Sequence, residues 1–275
     1  MILKSTHSTP TILWLSDLHL DMADTKKKQS LLKTVTENSY DAIVCSGDIS
    51  SAPSLIGHLR ELAEACAPRP LYFVLGNHDF YQSSMAAVDK EVARLCRSVT
   101  NLHHLGGNEI IPLSRSTALI GHRGWADARA GYGRRTVIDS RDHHYIRDFQ
   151  HLGREAIFTK MESLGKESAG IFRKTLPHAL SAYGHVVIAT HIPPFPETAH
   201  FNAKPCGLTH LPHYVNFSAG IAMVGISQKF PKKNVTVLAG HTHSPVRKRI
   251  LDNLEVRVAG AQTGAPASQG VLSFT

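Results

Sequence analysis

Five short apolar runs in this chain each break off within a few residues into side chains able to bind a divalent cation. Thr11-Ile-Leu-Trp-Leu leads to Asp17 and His19, Ala42-Ile-Val-Cys to Gly47-Asp48, and Leu71-Tyr-Phe-Val-Leu to Gly76-Asn77-His78-Asp79. Val186-Val-Ile-Ala leads to His191, and Val235-Thr-Val-Leu-Ala to Gly240-His241-Thr242-His243. Apolar runs this short read as buried strands, and the longer amphipathic stretches between them as helices, which together predict an α/β layer architecture. Ligands of open α/β sheets bind beyond the carboxyl ends of the strands, so these endings can converge although far apart in sequence.

Helices are predicted over 26–38, over 53–66, where Leu55, Leu59, Leu62 and Cys66 recur at helical spacing behind Pro53, and over 85–96. Further strands are predicted at 109–113, 117–120, 246–251, 254–259 and 271–274, with Asp252-Asn253 suited to the positive φ angles of a tight hairpin. The stretch 122–184 departs from this alternation. It is rich in Arg, His and Tyr, with helices expected over 142–166 and 170–183, and reads as a cap inserted over one end of the sheet. At 275 residues the chain can bury a sizeable core, and one elaborated domain over 1–275 is expected.

Any single ending is ordinary, since a lone Asp or His after a strand is usually a cap, a turn residue or a solvated group. Five on the same side of their strands point to one centre. The glycines before Asp48, Asn77 and His241 fit tight turns in a backbone conformation costly for other residues. Taken in order, Asp-x-His, Gly-Asp, Gly-Asn-His-Asp, His and Gly-His-x-His, from Asp17 to His243, resemble the calcineurin-like metallophosphoesterases.

That resemblance implies an α/β fold, a four-layer α/β/β/α sandwich of two mixed sheets with a helical cap. It implies one metal ion on Asp17, His19, Asp48 and His243 and a second on Asp48, Asn77, His191 and His241. Asp48 would bridge, its charge offsetting the repulsion of two cations about 4 Å apart. Oxygen and imidazole donors without thiolate suit manganese, iron, zinc or cobalt. The implied reaction is hydrolysis of a phosphate ester by a metal-bridging hydroxide, with His78 as proton donor to the leaving group and Asp79 orienting its imidazole. Gly47-Asp48 is followed by Ile49-Ser50-Ser51, not by the Val-Asp-Arg-Gly pattern of the Ser/Thr protein phosphatases, so the sequence is more similar to the small-molecule and cyclic-nucleotide phosphodiesterase branches.

Lys and Arg number 30 against 22 Asp and Glu, and the net charge of +8 favours anionic partners. It supports the alternative of a nuclease of the same superfamily, though nucleic acid is the lesser candidate beside a small phosphate ester. A non-catalytic metal-binding interaction module is a further alternative, and the retention of His78 speaks against it. Between His122 and Arg154 stand Arg123, Arg129, Arg134, Arg135, Arg141 and Arg147, with no Lys. The guanidinium fork matches phosphate oxygens two at a time, which makes Arg134 and Arg135 candidates for substrate binding. The bland reading pairs these arginines with Asp127, Asp139, Asp142 and Asp148.

The other histidines, including His103-His104 and His143-His144, are expected to be mostly solvated, and Trp125 to pack in the core. Ile192-Pro-Pro-Phe-Pro suits either a cleft wall or a rigid turn. The four cysteines lie far apart and read as structural. An N-terminus with Lys4 and a short, interrupted apolar strand lacks a secretory pattern, and no window spans a bilayer, so a cytoplasmic protein without a membrane partner is expected. Nucleophile-elbow, P-loop and metallo-β-lactamase motifs are absent.

Overall fold

The computed structural model describes residues 9–274; Lys4 lies outside them. The first half runs β1 Thr11–Leu15, α1 Thr25–Glu37, β2 Ala42–Cys45, α2 Ala52–Cys66, β3 Leu71–Phe73, α3 Met85–Ser98 and β4 Leu102–His104. Helix starts follow local chemistry. Asp24 accepts from the Lys27 amide at 2.8 Å to cap α1, Pro53 opens α2, and the Ser84 hydroxyl accepts from the Ala87 amide to cap α3. The chain continues through β5 Ile111–Pro112, β6 Thr117–Gly121, α4 Arg141–Tyr145, α5 Arg154–Ala182 and β7 His185–Ala189. It ends with β8 His200–Phe201, β9 Lys204–Pro205, α6 Leu211–Tyr214, α7 Phe217–Ser227, β10 Asn234–Ala239, β11 Val246–Leu251, β12 Leu254–Val258 and β13 Ser268–Ser273.

The strands form a five-stranded sheet in the order β13-β1-β2-β3-β4, a six-stranded sheet in the order β11-β12-β10-β7-β6-β5, and the small β8-β9 pair. Both large sheets are mixed. Their central strands run parallel, while β13, β11 and β5 join antiparallel at the edges. Alternation along β1 explains the layering: Ile12 and Trp14 pack with Val44 and Val74 against Leu119, Val187 and Leu238 of the other sheet. Leu13 and Leu15 face the opposite way, onto a cluster with Leu31, Val35, Leu59, Leu62, Val88 and Val92 from α1, α2 and α3. Ile120, Val186, Ile188 and Val237 likewise meet Phe172, Leu176, Ala219 and Met223 from α5 and α7. The result is the expected helix–sheet–sheet–helix sandwich. No helix among the described residues is long and apolar enough to cross a membrane.

The stretch 122–184 differs in detail from its sequence reading. The two expected helices are a five-residue α4 and one continuous α5 of 29 residues. Gly170 does not interrupt α5, since its Cβ position opens onto free space, and Gly165 lets the helix approach Asp127, where a Cβ would lie 2.3 Å from the Asp127 Cβ. The C-terminal half of α5 is a layer of the sandwich, packed on the second sheet through Phe172, Leu176 and Leu180, while Phe158 and Met161 of its first half join the other cluster. In the β11–β12 turn neither Asp252 nor Asn253 has a positive φ. Asn253 instead points its amide at the carbonyls of Ser227, Phe230 and Lys233, each at 3.0 Å, tying the hairpin to the end of α7.

Phe172 is fully buried between α5 and the second sheet. Phe172→Ala is expected to lower the unfolding free energy by about 3–5 kcal/mol, measured by urea denaturation. A separable cap would leave the main transition where it was.

Candidate metal centre

The carboxyl ends of β1 and β2 in one sheet and of β7 and β10 in the other meet at a single seam, crossed by the His241 amide, which donates to Asp17 Oδ1 at 2.7 Å, and by His191 Nδ1, 2.9 Å from the Ser46 carbonyl, while backbone bonds join the loops within each sheet. Asp17 donates its amide to the Gly47 carbonyl at 2.9 Å, His19 to that of Asp48 at 3.0 Å, and Gly240 to that of His191 at 2.9 Å. Asp17, His19, Asp48, His241 and His243 all adopt positive φ, between 41° and 74°. Left-handed conformations cost non-glycine residues about 1–3 kcal/mol each and persist only where the surroundings impose them. Here they turn successive side chains of Asp-x-His and His-x-His into the same space.

On one side of the seam, ligand atoms of Asp17, His19, Asp48 and His243 all lie within 4.8 Å of one another. The Nε2 atoms of His19 and His243 face each other at 3.0 Å, with Asp48 Oδ2 3.7 Å from the first and Asp17 Oδ1 3.5 Å from the second. Asp17 is anchored from behind by a relay: Trp14 Nε1–H donates to the Ser46 hydroxyl, Ser46 to Ser16, and Ser16 to Asp17 Oδ2 at 2.6 Å. The Asp48 carboxyl is held well below its ordinary range; burial opposes this, and the His191 and His78 imidazoles outweigh it.

On the other side, Asp48 Oδ1 lies 3.3 Å from His191 Nε2, and Asn77 Oδ1 lies 3.0 Å from both His191 Nε2 and His241 Nδ1. The outer nitrogens of both rings meet backbone carbonyls, His191 Nδ1 that of Ser46 at 2.9 Å and His241 Nε2 that of His213 at 3.0 Å. His241 is thus flanked by two oxygens. Burial and the nearby His191 push its pKa down to about 4, so the ring is neutral and carries one proton. Whichever nitrogen holds that proton, the other turns a lone pair on an oxygen, and a metal cation in front of the ring resolves the conflict by fixing the proton on Nε2. The residues therefore fit a metal, and the Asp48 oxygens point one to each side, as a bridging carboxylate requires.

The motif glycines act mainly by leaving space. Only Gly47 has a positive φ, 97°, whereas a Cβ at Gly76 would fall 2.1 Å from Asp48 Oδ1 and one at Gly240 2.2 Å from Asp17 Oδ2. The turn conformation expected at all three holds at one.

His78 lines a cavity of about 480 Å³ together with Asp48, Asn77, His241 and His243. Its ring stacks on Tyr81 at 4.2 Å and meets the His19 ring edge-on at 4.5 Å. Asp79 does not orient it. The fully buried Asp79 accepts from the amides of Ile49 and Ser50 through Oδ1, at 2.8 and 2.9 Å, and from the Gly76 amide through Oδ2 at 2.7 Å, clamping the loop after β2 to the loop after β3.

Arg134 is committed elsewhere, to Glu162 at 2.7 Å and Glu155 at 2.8 Å on α5, and neither it nor Arg135 lines the cavity. Its partners are none of the aspartates named above. Asp127 instead receives the first amides of α7, Asp139 pairs with both His143 and His144, and Asp148 accepts from the Met85 amide. Arg141 is the arginine on the cavity, joined by Tyr81, Asp142, Phe201, His210 and Tyr214. Nothing in their spacing marks these residues; they reach the site through loops and short helices. His58, His122, His143 and His213 are buried, not solvated, Trp125 is core as expected, and Ile192 and Phe195 pack inward as a turn.

The model of the family described as calcineurin-like phosphoesterase matches residues 10–245. No curated protein matches the chain. Among solved structures, the protein TT1561 of Thermus thermophilus aligns over 92% of this chain and 89% of its own, at 14% identity and a TM-score of 0.52. A dimetal phosphatase from Danio rerio aligns over 91% and 88%, at 16% identity and a TM-score of 0.53. At these identities the likeness is one of fold.

Burial lowers the His191 pKa, but the charge and hydrogen bond of Asp48 outweigh it and raise the value to about 9. A metal on Nε2 must displace that proton. Metal binding at pH 7 is expected to release about one proton at this position, with affinity rising about tenfold per pH unit up to roughly pH 9. Calorimetry in buffers of different ionisation enthalpy reads the total proton count; none released would mean that no protonated imidazole of the centre, His191 or His243, gives way to a metal.

Proposed function

The chain belongs to the calcineurin-like phosphoesterases, and from that premise we propose that it is a binuclear metal-dependent hydrolase of small phosphate esters. The observation that carries this reading is the placement of Asp48, with Oδ2 facing His19 and Oδ1 facing His191. Asp17, His19 and His243 would hold one ion with it, and Asn77, His191 and His241 the other. Two such ions supply positive charge to the phosphoryl oxygens and an activated water for in-line attack.

The remaining steps fall to the chain's own groups. His78 is held by stacking on Tyr81 and by its amide, which donates to Asp48 Oδ1 at 2.9 Å. Its imidazole stays outside the ligand set yet on the cavity, where it can hand a proton to the leaving oxygen. Asp79 keeps the His78 loop and the Asp48 loop in fixed relation. A cavity of about 480 Å³ matches a small-molecule ester. Arg141 is exposed on its wall with no side-chain partner among the described residues, and Phe201, 53% exposed, lies on the same cavity. The part first assigned to Arg134 and Arg135, reading an additional phosphate, therefore passes to Arg141.

His78→Ala is expected to lower turnover by about 10²–10⁴ on esters with poor leaving groups, and by much less on nitrophenyl esters. Equal losses in steady-state assays would assign His78 to binding. Arg141→Ala is expected to raise KM roughly 10- to 100-fold for an ester carrying a second phosphate, leaving a nitrophenyl ester nearly unchanged, with Arg134→Ala affecting neither.

A further inference from the structure

Asp142 sits at the start of α4, 65 residues from Asn77, and its Oδ1 accepts from Asn77 Nδ2 at 2.8 Å. The same oxygen accepts from the Tyr81 hydroxyl at 2.8 Å. An amide side chain can point either its oxygen or its nitrogen into a site, and only the oxygen can ligate a cation. With Nδ2 held by Asp142, Asn77 Oδ1 is left facing His191 and His241. Tyr81 is the ring on which His78 stacks. One carboxylate thus touches both the amide of the centre and the support of its proton donor.

The segment bearing Asp142 is fastened to the loop that bears Tyr81. Gln82 donates its amide to the Tyr145 carbonyl at 2.8 Å, and Arg147 donates to that of Ser83 at 2.9 Å. The Tyr145 and Tyr81 rings stack at 5.2 Å, and Asp148 Oδ2 accepts from the Met85 amide at 2.8 Å. These contacts hold α4 against the loop independently of the Asp142 side chain.

We propose that Asp142 is a positioning residue that selects the ligating orientation of Asn77 and steadies His78 through Tyr81, so that the segment over the strand ends completes one of the two ion sites. The proposal rests on the two-ion reading of the centre. It assigns to the segment around α4 a part in ion binding as well as in substrate contact, and it predicts that the two sites respond differently to the same change. Among the described residues Asp17, His19 and His243 make no direct contact with Asp142, and their ion is expected to respond far less to its loss.

Two-site manganese isotherms on wild type, Asp142→Ala, Asp142→Asn and Tyr81→Phe test this, beside the amide nitrogen resonances of Asn77 recorded before metal is added. Asp142→Ala is expected to weaken one ion about 10- to 100-fold, leave the other within a factor of about 3, and move the Asn77 resonances. Asp142→Asn, which keeps an oxygen at that point and guards against a variant that fails to fold, is expected to restore most of the affinity. Tyr81→Phe is expected to keep both ions and to lower turnover chiefly for poor leaving groups. Equal weakening of both ions, no weakening, or Asn77 resonances indifferent to Asp142→Ala would overturn the proposal. Fewer than two ions on wild type would overturn the two-ion reading itself, while the Asn77 resonances still decide whether Asp142 holds the amide.

Discussion

A carboxylate at 1% exposure demands compensation from every direction, and Asp48 is the group around which this structure is arranged. It lies where two sheets meet and takes its partners from both: the His78 amide and His19 from the first sheet, His191 from the second. Much of the local backbone makes sense as accommodation of that one group. Gly47 supplies the turn before it, Gly76 clears space for its oxygen, and Asp79 joins the two loops that flank it. A uniformly hydrophobic seam would pack the sheets equally well and bind nothing. The polar seam is tolerable because imidazole nitrogens, amides and cations can satisfy all its oxygens together.

The strand-end donors were legible because each depends on a local pattern, an apolar run followed at once by a ligand type, and parallel neighbours bring such endings together by topology alone. Asp17, His19, Asp48, Asn77, His191, His241 and His243 fall into this class. Side chains whose role is set by distant partners were not legible. Asp79 stands beside His78 in sequence, yet two of its three amide partners, Ile49 and Ser50, lie 30 and 29 residues away. Arg134 belongs to an Arg-rich stretch, but Glu155 and Glu162 reach it only because α5 passes alongside. α7 is apolar on nearly every face, so no amphipathic period marks it, and α5 runs on through 167–169, between the two helices expected there.

The buried histidines show the same limit from another side. His122 carries no signal for burial, yet its ring bonds Ser168 at 3.1 Å beneath α5, and burial followed by the Arg123 charge pushes its pKa down to about 3. It stays neutral and acts as a polar wedge between the second sheet and α5. His143 and His144, adjacent in sequence and therefore unpromising as a chelate, both reach one carboxylate, with His143 Nδ1 on Asp139 Oδ1 at 3.0 Å and His144 Nε2 on Oδ2 at 2.7 Å. A short helix start allows this where a regular helix face would not.

Backbone strain at the centre is balanced by the protein's own hydrogen bonds. Five of the candidate ligand positions hold left-handed φ, a cost that folding must meet from elsewhere. The hydrogen bonds that impose it join protein to protein: Asp17 to Gly47, His19 to Asp48, Gly240 to His191, and the His241 amide to Asp17 Oδ1 at 2.7 Å. The loops that carry the donors are thus tied to one another by bonds within the chain. Trp14 belongs both to the core between the sheets and, through Ser46 and Ser16, to the relay that ends on Asp17, so the packing of the sheets and the placing of that carboxylate are one arrangement.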